Sequence, residues 1–122
     1  MLVRTLATLT LATLLAAPAN AHHGWAWAEE EQVELTGTIT SVDMAPPHPA
    51  LVVEAQGGIW RVELGNPTNT AKSGFDQTSA SPGDRIIATG NRSLDPSVNR
   101  MKAVRIMVED EVYDIYPERI EQ

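Results

Sequence analysis

The sequence predicts an all-β fold with one short helix, on three observations. Three runs, in 33–42, 59–64 and 101–108, set apolar residues on one face with the period of two of a half-buried strand, and two more short apolar runs, 50–55 and 85–90, read as strands beside them. Clusters of Gly, Pro, Asn and Asp separate the runs as turns. One stretch, residues 68–80, has no Pro, few β-branched apolar residues and a cap at Asn66 or Thr68, which suits a short helix.

The first run, residues 33–42, puts Val33, Leu35 and Ile39 on one face and Glu34, Thr36, Thr38 and Thr40 on the other. Gly37 interrupts its apolar face, as in a strand that bends around a core. Ala45-Pro46-Pro47-His48-Pro49 cannot be helix, because each Pro lacks a donor and restrains the residue before it. Residues 50–55 then read as strand two, Gln56-Gly57-Gly58 as a hairpin turn, and residues 59–64 as strand three, with Trp60, Val62 and Leu64 alternating against Arg61 and Glu63. Gly65-Asn66-Pro67 leads into the helical stretch, and Ser81-Pro82-Gly83-Asp84 turns the chain into strand four, residues 85–90. A polar loop follows over 91–99. Residues 101–108 are strand five, Glu109-Asp110-Glu111 a solvated break, and 112–116 one further short strand. Strand, strand, strand, helix, strand, strand is the order of a five-stranded OB-like Greek-key barrel, with the helix plugging one end. A small open β-sandwich and an SH3-like barrel compete, and the helix between strands three and four argues against both.

Residues 1–21 have the layout of a cleavable secretory signal. Arg4 supplies the charge, an apolar run follows to Ala17, and Ala19-Asn20-Ala21 offers small residues for the peptidase. The run is too short to span a bilayer, which takes about 20 apolar residues. The expected organisation is a signal at 1–21, an amino-terminal segment at 22–32 and one β-barrel domain at 33–122. Export implies a periplasmic or secreted protein with no membrane span after cleavage.

The chain carries 9 Lys and Arg against 16 Asp and Glu, a net charge of −7, and no Cys. An acidic surface repels polyphosphates, so nucleic acid is not an expected partner. Thiolate zinc and iron-sulfur sites are impossible, and any metal must use His, Met, carboxylates or the amino terminus. No nucleophile motif, phosphate loop or dinucleotide fingerprint occurs, so the expectation is a binding protein and not an enzyme.

The three histidines carry the chemical signal: His22 and His23 follow the cleavage point, and His48 sits in the Pro-bounded loop. Cleavage after Ala21 gives His22 a free amine beside its imidazole. Both titrate near neutral pH, so a metal displaces little proton to claim them. A second imidazole from His48 would complete three nitrogens in a T, a copper arrangement, and Met44 would add a soft ligand for Cu(I). His23 offers a competing mode through the amine and the intervening amide. The expected metal residues are therefore His22, His23, His48 and Met44, with copper as the cofactor. Trp25 and Trp27, one residue apart, place both indoles on one side of an extended segment, more readily for packing than for stacking on a ligand. Asp43 and Glu63 would make a carboxylate pair only if the fold brought them together.

Taken together, Ala21-His22-His23, Leu35-Thr36-Gly37-Thr38-Ile39, Pro47-His48, the run Trp60-Arg61-Val62-Glu63-Leu64-Gly65-Asn66-Pro67, Gly74-Phe75 and Pro82-Gly83-Asp84 resemble small exported bacterial proteins of domain-of-unknown-function family 6152. The resemblance covers nearly the whole chain after the signal, except the tail from Glu109. The family typically has Asn where this chain has Pro46, and Ser where it has Gly24. The resemblance implies export and a small β-barrel, and no settled activity. The functional expectation is a periplasmic copper carrier or buffer. The alternative is a metal-free OB-type module that binds a peptide, a glycan or an envelope protein through Trp25, Trp27 and the barrel face.

Overall fold

The computed structural model describes residues 24–121. It contains β1 (Ala28–Asp43), β2 (Ala50–Ala55), β3 (Gly58–Glu63), α1 (Pro67–Lys72), β4 (Arg85–Ser93), β5 (Arg100–Val108) and β6 (Glu111–Asp114), then a single 3-10 turn at Pro117–Arg119. The strands form one sheet in the order β3-β2-β1-β4-β5-β6, every neighbouring pair antiparallel, and β3 also pairs in parallel with β5. The fold is thus mostly β with one short helix, as the alternation predicts. No helix among the described residues is long and apolar enough to cross a membrane.

β1 organises the sheet because its two halves serve different neighbours. Gln32 to Thr36 pair with β4 alone, Gly37 and Thr38 pair with both β4 and β2, and Ile39 to Asp43 continue with β2. The bend predicted at Gly37 is needed for this handover. A Cβ there would meet the Glu54 carbonyl oxygen at 2.5 Å and Val53 Cγ1 at 2.6 Å, so only glycine lets the strands approach. A register shift between Ile39 and Ser41 sharpens the turn of the strand.

Three boundaries differ most from the local sequence signals, while β3 and β6 each begin one residue early, at Gly58 and Glu111, and end at Glu63 and Asp114. β1 begins at Ala28, upstream of Val33, because the Asn91 amide donates to the carbonyls of Glu29 (2.8 Å) and Glu30 (3.0 Å). A side chain from β4 thus bonds the acidic run where the ladder shifts register between Ala28 and Gln32. β4 continues to Ser93 because Asn91 and Arg92 lie opposite Lys102 and Met101. The helix stops at Lys72, well short of Ala80. Asn66 caps it by accepting from the Asn69 amide, and Gly74 at φ 88° ends its geometry. Asp76 then accepts from the amide and hydroxyl of Thr78, folding the following residues into a turn.

The core lies on the face carrying Ile39, Leu51, Val53, Val62, Ile86 and Ile106, all fully buried. Phe75, from the segment after α1, closes it with its ring edge-on to Tyr113 at 5.2 Å. Burial of such side chains contributes about 1.5–3 kcal/mol each and holds the sheet curved over them. Gly90 marks the tightest strand contact, since a Cβ there would lie 2.1 Å from the Lys102 carbonyl oxygen.

Gly90→Ala is therefore expected to destabilise the protein by about 3 kcal/mol, because strand β5 must move away from β4. Gly57→Ala, at φ 89° but with open space around it, is expected to lose only about 1 kcal/mol. Urea midpoints measure both, and equal losses would contradict the steric account.

Candidate functional site

Immediately before β1, the segment from Gly24 to Trp27 is fastened to the sheet by cations of β5. The Lys102 ammonium donates to the Gly24 carbonyl at 3.0 Å and lies 4.9 Å from the Trp25 ring centre. Two residues along each segment, the Arg100 guanidinium stacks 3.6 Å over Trp27. The segment is a turn and not the extended stretch expected from the sequence, since the Ala28 amide closes it onto the Trp25 carbonyl, and it sets the two indoles over two cations of one face of β5. Arg119 covers Trp25 at 3.9 Å, and Tyr116 meets the same indole edge-on at 5.0 Å. Each contact of this kind contributes about 0.5–2 kcal/mol. One backbone bond adds to them, from the Leu94 amide to the Trp27 carbonyl.

Glu63 makes this cationic layer tolerable. Its side chain is buried, pairs with Arg100, and faces the same side of the sheet as Lys102, directly opposite in the β3–β5 pairing. Lys102 itself is only 2% exposed. Burial holds its ammonium below the ordinary value of 10.5, with repulsion from Arg100 and Arg119 adding and the Glu63 carboxylate opposing. Tyr116 is pushed up, chiefly by burial.

The metal residues named from the sequence divide into three groups. His22 and His23, with the expected cleavage point, lie outside the described residues. Met44 packs against the core, and half-buried His48 stands in the loop between β1 and β2, its Nδ1 buried and without a hydrogen-bond partner among the described residues. No group of three His, Asp or Glu able to hold a metal occurs among the described residues. Asp43 and Glu63 do not form a pair: each lies opposite Ala50, one in β1 and one in β3, Asp43 accepts from the Ala45 amide, and Glu63 pairs with Arg100. Trp25 and Trp27 pack on the protein's own cations, and Trp60 is 6% exposed in the core.

Lys102 and Arg100 are the residues that sequence reasoning passed over. Their signal was a match of periods, since Trp25 and Trp27 repeat every second residue, as do Arg100 and Lys102. Lys102→Met is expected to free the segment before β1, seen as faster proteolysis near Gly24 with the core intact. Because Lys102 is depressed in the native state, the unfolded chain binds more protons below the ordinary lysine value, so this group makes stability rise with pH in that alkaline range. Denaturation across that range should show a shallower rise in the Met variant, and parallel curves for the two proteins would contradict the assignment.

No curated protein matches the chain. The model of a family of unknown function, DUF6152, matches residues 10–101, and the protein belongs to that family.

Proposed function

We propose that the protein is an exported copper-binding carrier or buffer of the periplasm, built on a five-stranded OB-type barrel, with the amine and ring of His22 and the ring of His48 as ligands. The barrel reading is supported by the circuit of pairings. From Asp43 the register passes to Ala50, Glu63, Lys102 and Asn91 and returns to β1 at Gln32, eleven positions upstream in the same strand. A stagger of that kind accompanies closure of a tilted barrel. The order 1-2-3-5-4 with a helix after β3 is that of the OB type.

One observation carries the metal reading. The Lys102 clasp holds Gly24 at one step of that circuit, and Ala50, two residues after His48, stands two strands away on the same side. Two strand spacings from Lys102 to Ala50 amount to about 10 Å, and the two residues from Ala50 back to His48 span up to about 7 Å more. Two residues of chain from Gly24 to His22 reach about 7 Å, and an imidazole extends the reach further. His48 offers a buried Nδ1 that has no hydrogen-bond partner among the described residues. Three nitrogen donors of this type favour copper over the other first-row divalent ions. His23 supplies the competing amide mode, and Met44 would assist Cu(I) only by leaving its core contacts.

A copper titration of the processed protein against a form with one extra amino-terminal residue tests the chelate. The extended form is expected to bind at least roughly tenfold more weakly, a loss of about 1.4 kcal/mol. His48→Ala is expected to lose a similar factor in the processed protein. Equal affinities and spectra for the processed and extended forms would overturn the His22 chelate, and an unchanged His48→Ala would remove the loop from the site.

A further inference from the structure

A second region shares no residue with the clasp or with His48. A cleft of about 470 Å³ opens between Val33 to Thr36 of β1, the β2–β3 turn at Gln56-Gly57, and the side chains of Trp60, Arg92 and Met101. Its size lies within the range of small-molecule sites. The floor is apolar: Trp60 is 6% and Met101 0% exposed, and Val33 and Leu35 are half-buried against the core.

Arg92 is out of place in such a floor. It lies opposite Met101 in the β4–β5 pairing, and Met101 lies opposite Val62 in the β3–β5 pairing, so all three occupy one row on the core-facing side of the sheet. Arg100 and Arg105 have carboxylate partners in Glu63 and Asp114, whereas Arg92 has no ion pair among the described residues. Its guanidinium instead rests 4.9 Å from the centre of the Trp60 ring. The Trp60 indole N–H is already engaged, donating to the Gln56 carbonyl at 3.4 Å. Stacking uses the face of a guanidinium and leaves its N–H edge free for a carboxylate, which matches it in two parallel hydrogen bonds. A half-buried cation with no acceptor is costly, and the cost falls when an anion arrives.

The cleft walls restrict what that anion can be. Glu34 stands exposed at the rim, and the whole chain carries a net charge of −7, which disfavours ligands with several negative charges. The apolar floor calls for an apolar body attached to the single anionic group. β1 pairs with β4 alone from Gln32 to Thr36, so its other edge leaves peptide groups beside the cleft as further polar contacts.

We propose that this cleft binds a small amphiphilic monocarboxylate, its carboxylate on the Arg92 guanidinium and its apolar body against Trp60, Val33 and Leu35, with Met101 directly beneath. The site is independent of the copper reading. Octanoate is the probe, read by NMR on the full processed protein through the Trp60 indole N–H and the Met101 methyl. Octanoate is expected to move both resonances along a saturable curve and to leave the Trp25 indole in place. Octanol, which keeps the tail and lacks the charge, is expected to bind at least roughly tenfold more weakly, and Arg92→Gln to weaken octanoate by a similar factor. Absence of a saturable shift at millimolar octanoate, equal affinity for octanol, or unchanged affinity in a folded Arg92→Gln protein would each overturn the proposal. The octanol comparison needs no variant, so it stands even if Arg92→Gln unfolds the protein.

Discussion

The buried ammonium of Lys102 is the interaction on which the site side of this protein depends. A lysine 2% exposed must be compensated, and here the Gly24 carbonyl, the Trp25 and Tyr116 rings and the buried Glu63 carboxylate surround it. Remove the segment before β1 and the ammonium loses its hydrogen bond and an aromatic ring at once. Remove Lys102 and the segment loses its anchor at Gly24. The two are mutually required, which makes a stretch that would otherwise be a loose leader into part of the folded surface. The same layer explains how an acidic chain gathers Arg100, Lys102 and Arg119 on one side. The two indoles spread the positive charge over polarisable faces, and Glu63 neutralises part of it from within.

Most of the fold was legible in the sequence because its determinants are local. Strands do form at the apolar runs 50–55, 85–90 and 101–108, although Met101 to Val104 are buried on both faces. Gly37 announced the bend that lets β1 serve two neighbours. What stayed hidden depends on partners distant in the chain. The Glu29-Glu30-Glu31 run reads as a solvated linker, yet it enters β1 because Asn91, some sixty residues away, bonds its carbonyls. Asn91 and Arg92 read as loop, yet β5 draws them into β4. The helical composition of residues 68–80 was real only as far as Lys72, since Gly74 and the Asp76 turn override propensity beyond it.

The site was legible in part for the same reason. Histidine placement in the sequence singled out His48, and the structure leaves its Nδ1 without a partner among the described residues. The clasp that brings the amino-terminal segment onto the sheet could not be read from either segment alone. It required knowing that Trp25 and Trp27 cross the face of β5 that carries Arg100 and Lys102. The carboxylates were less informative than they looked, since Glu63 serves Arg100 and Asp43 serves its own loop. Arg92, without an ion pair among the described residues, was equally invisible, because the sequence gives no hint that it would share a row with Met101 and Val62.

The proposal at stake is that the histidines ahead of the segment clasped at Gly24 and the ring of His48 bind one copper ion. Pulsed electron paramagnetic resonance of the processed protein loaded with one equivalent of Cu(II) tests this most directly, because remote imidazole nitrogens modulate the echo in proportion to the number of coordinated rings. The account predicts modulation from two imidazoles in the wild-type protein and from one in His48→Ala. Modulation from a single imidazole in the wild-type protein, unchanged by His48→Ala, would contradict it.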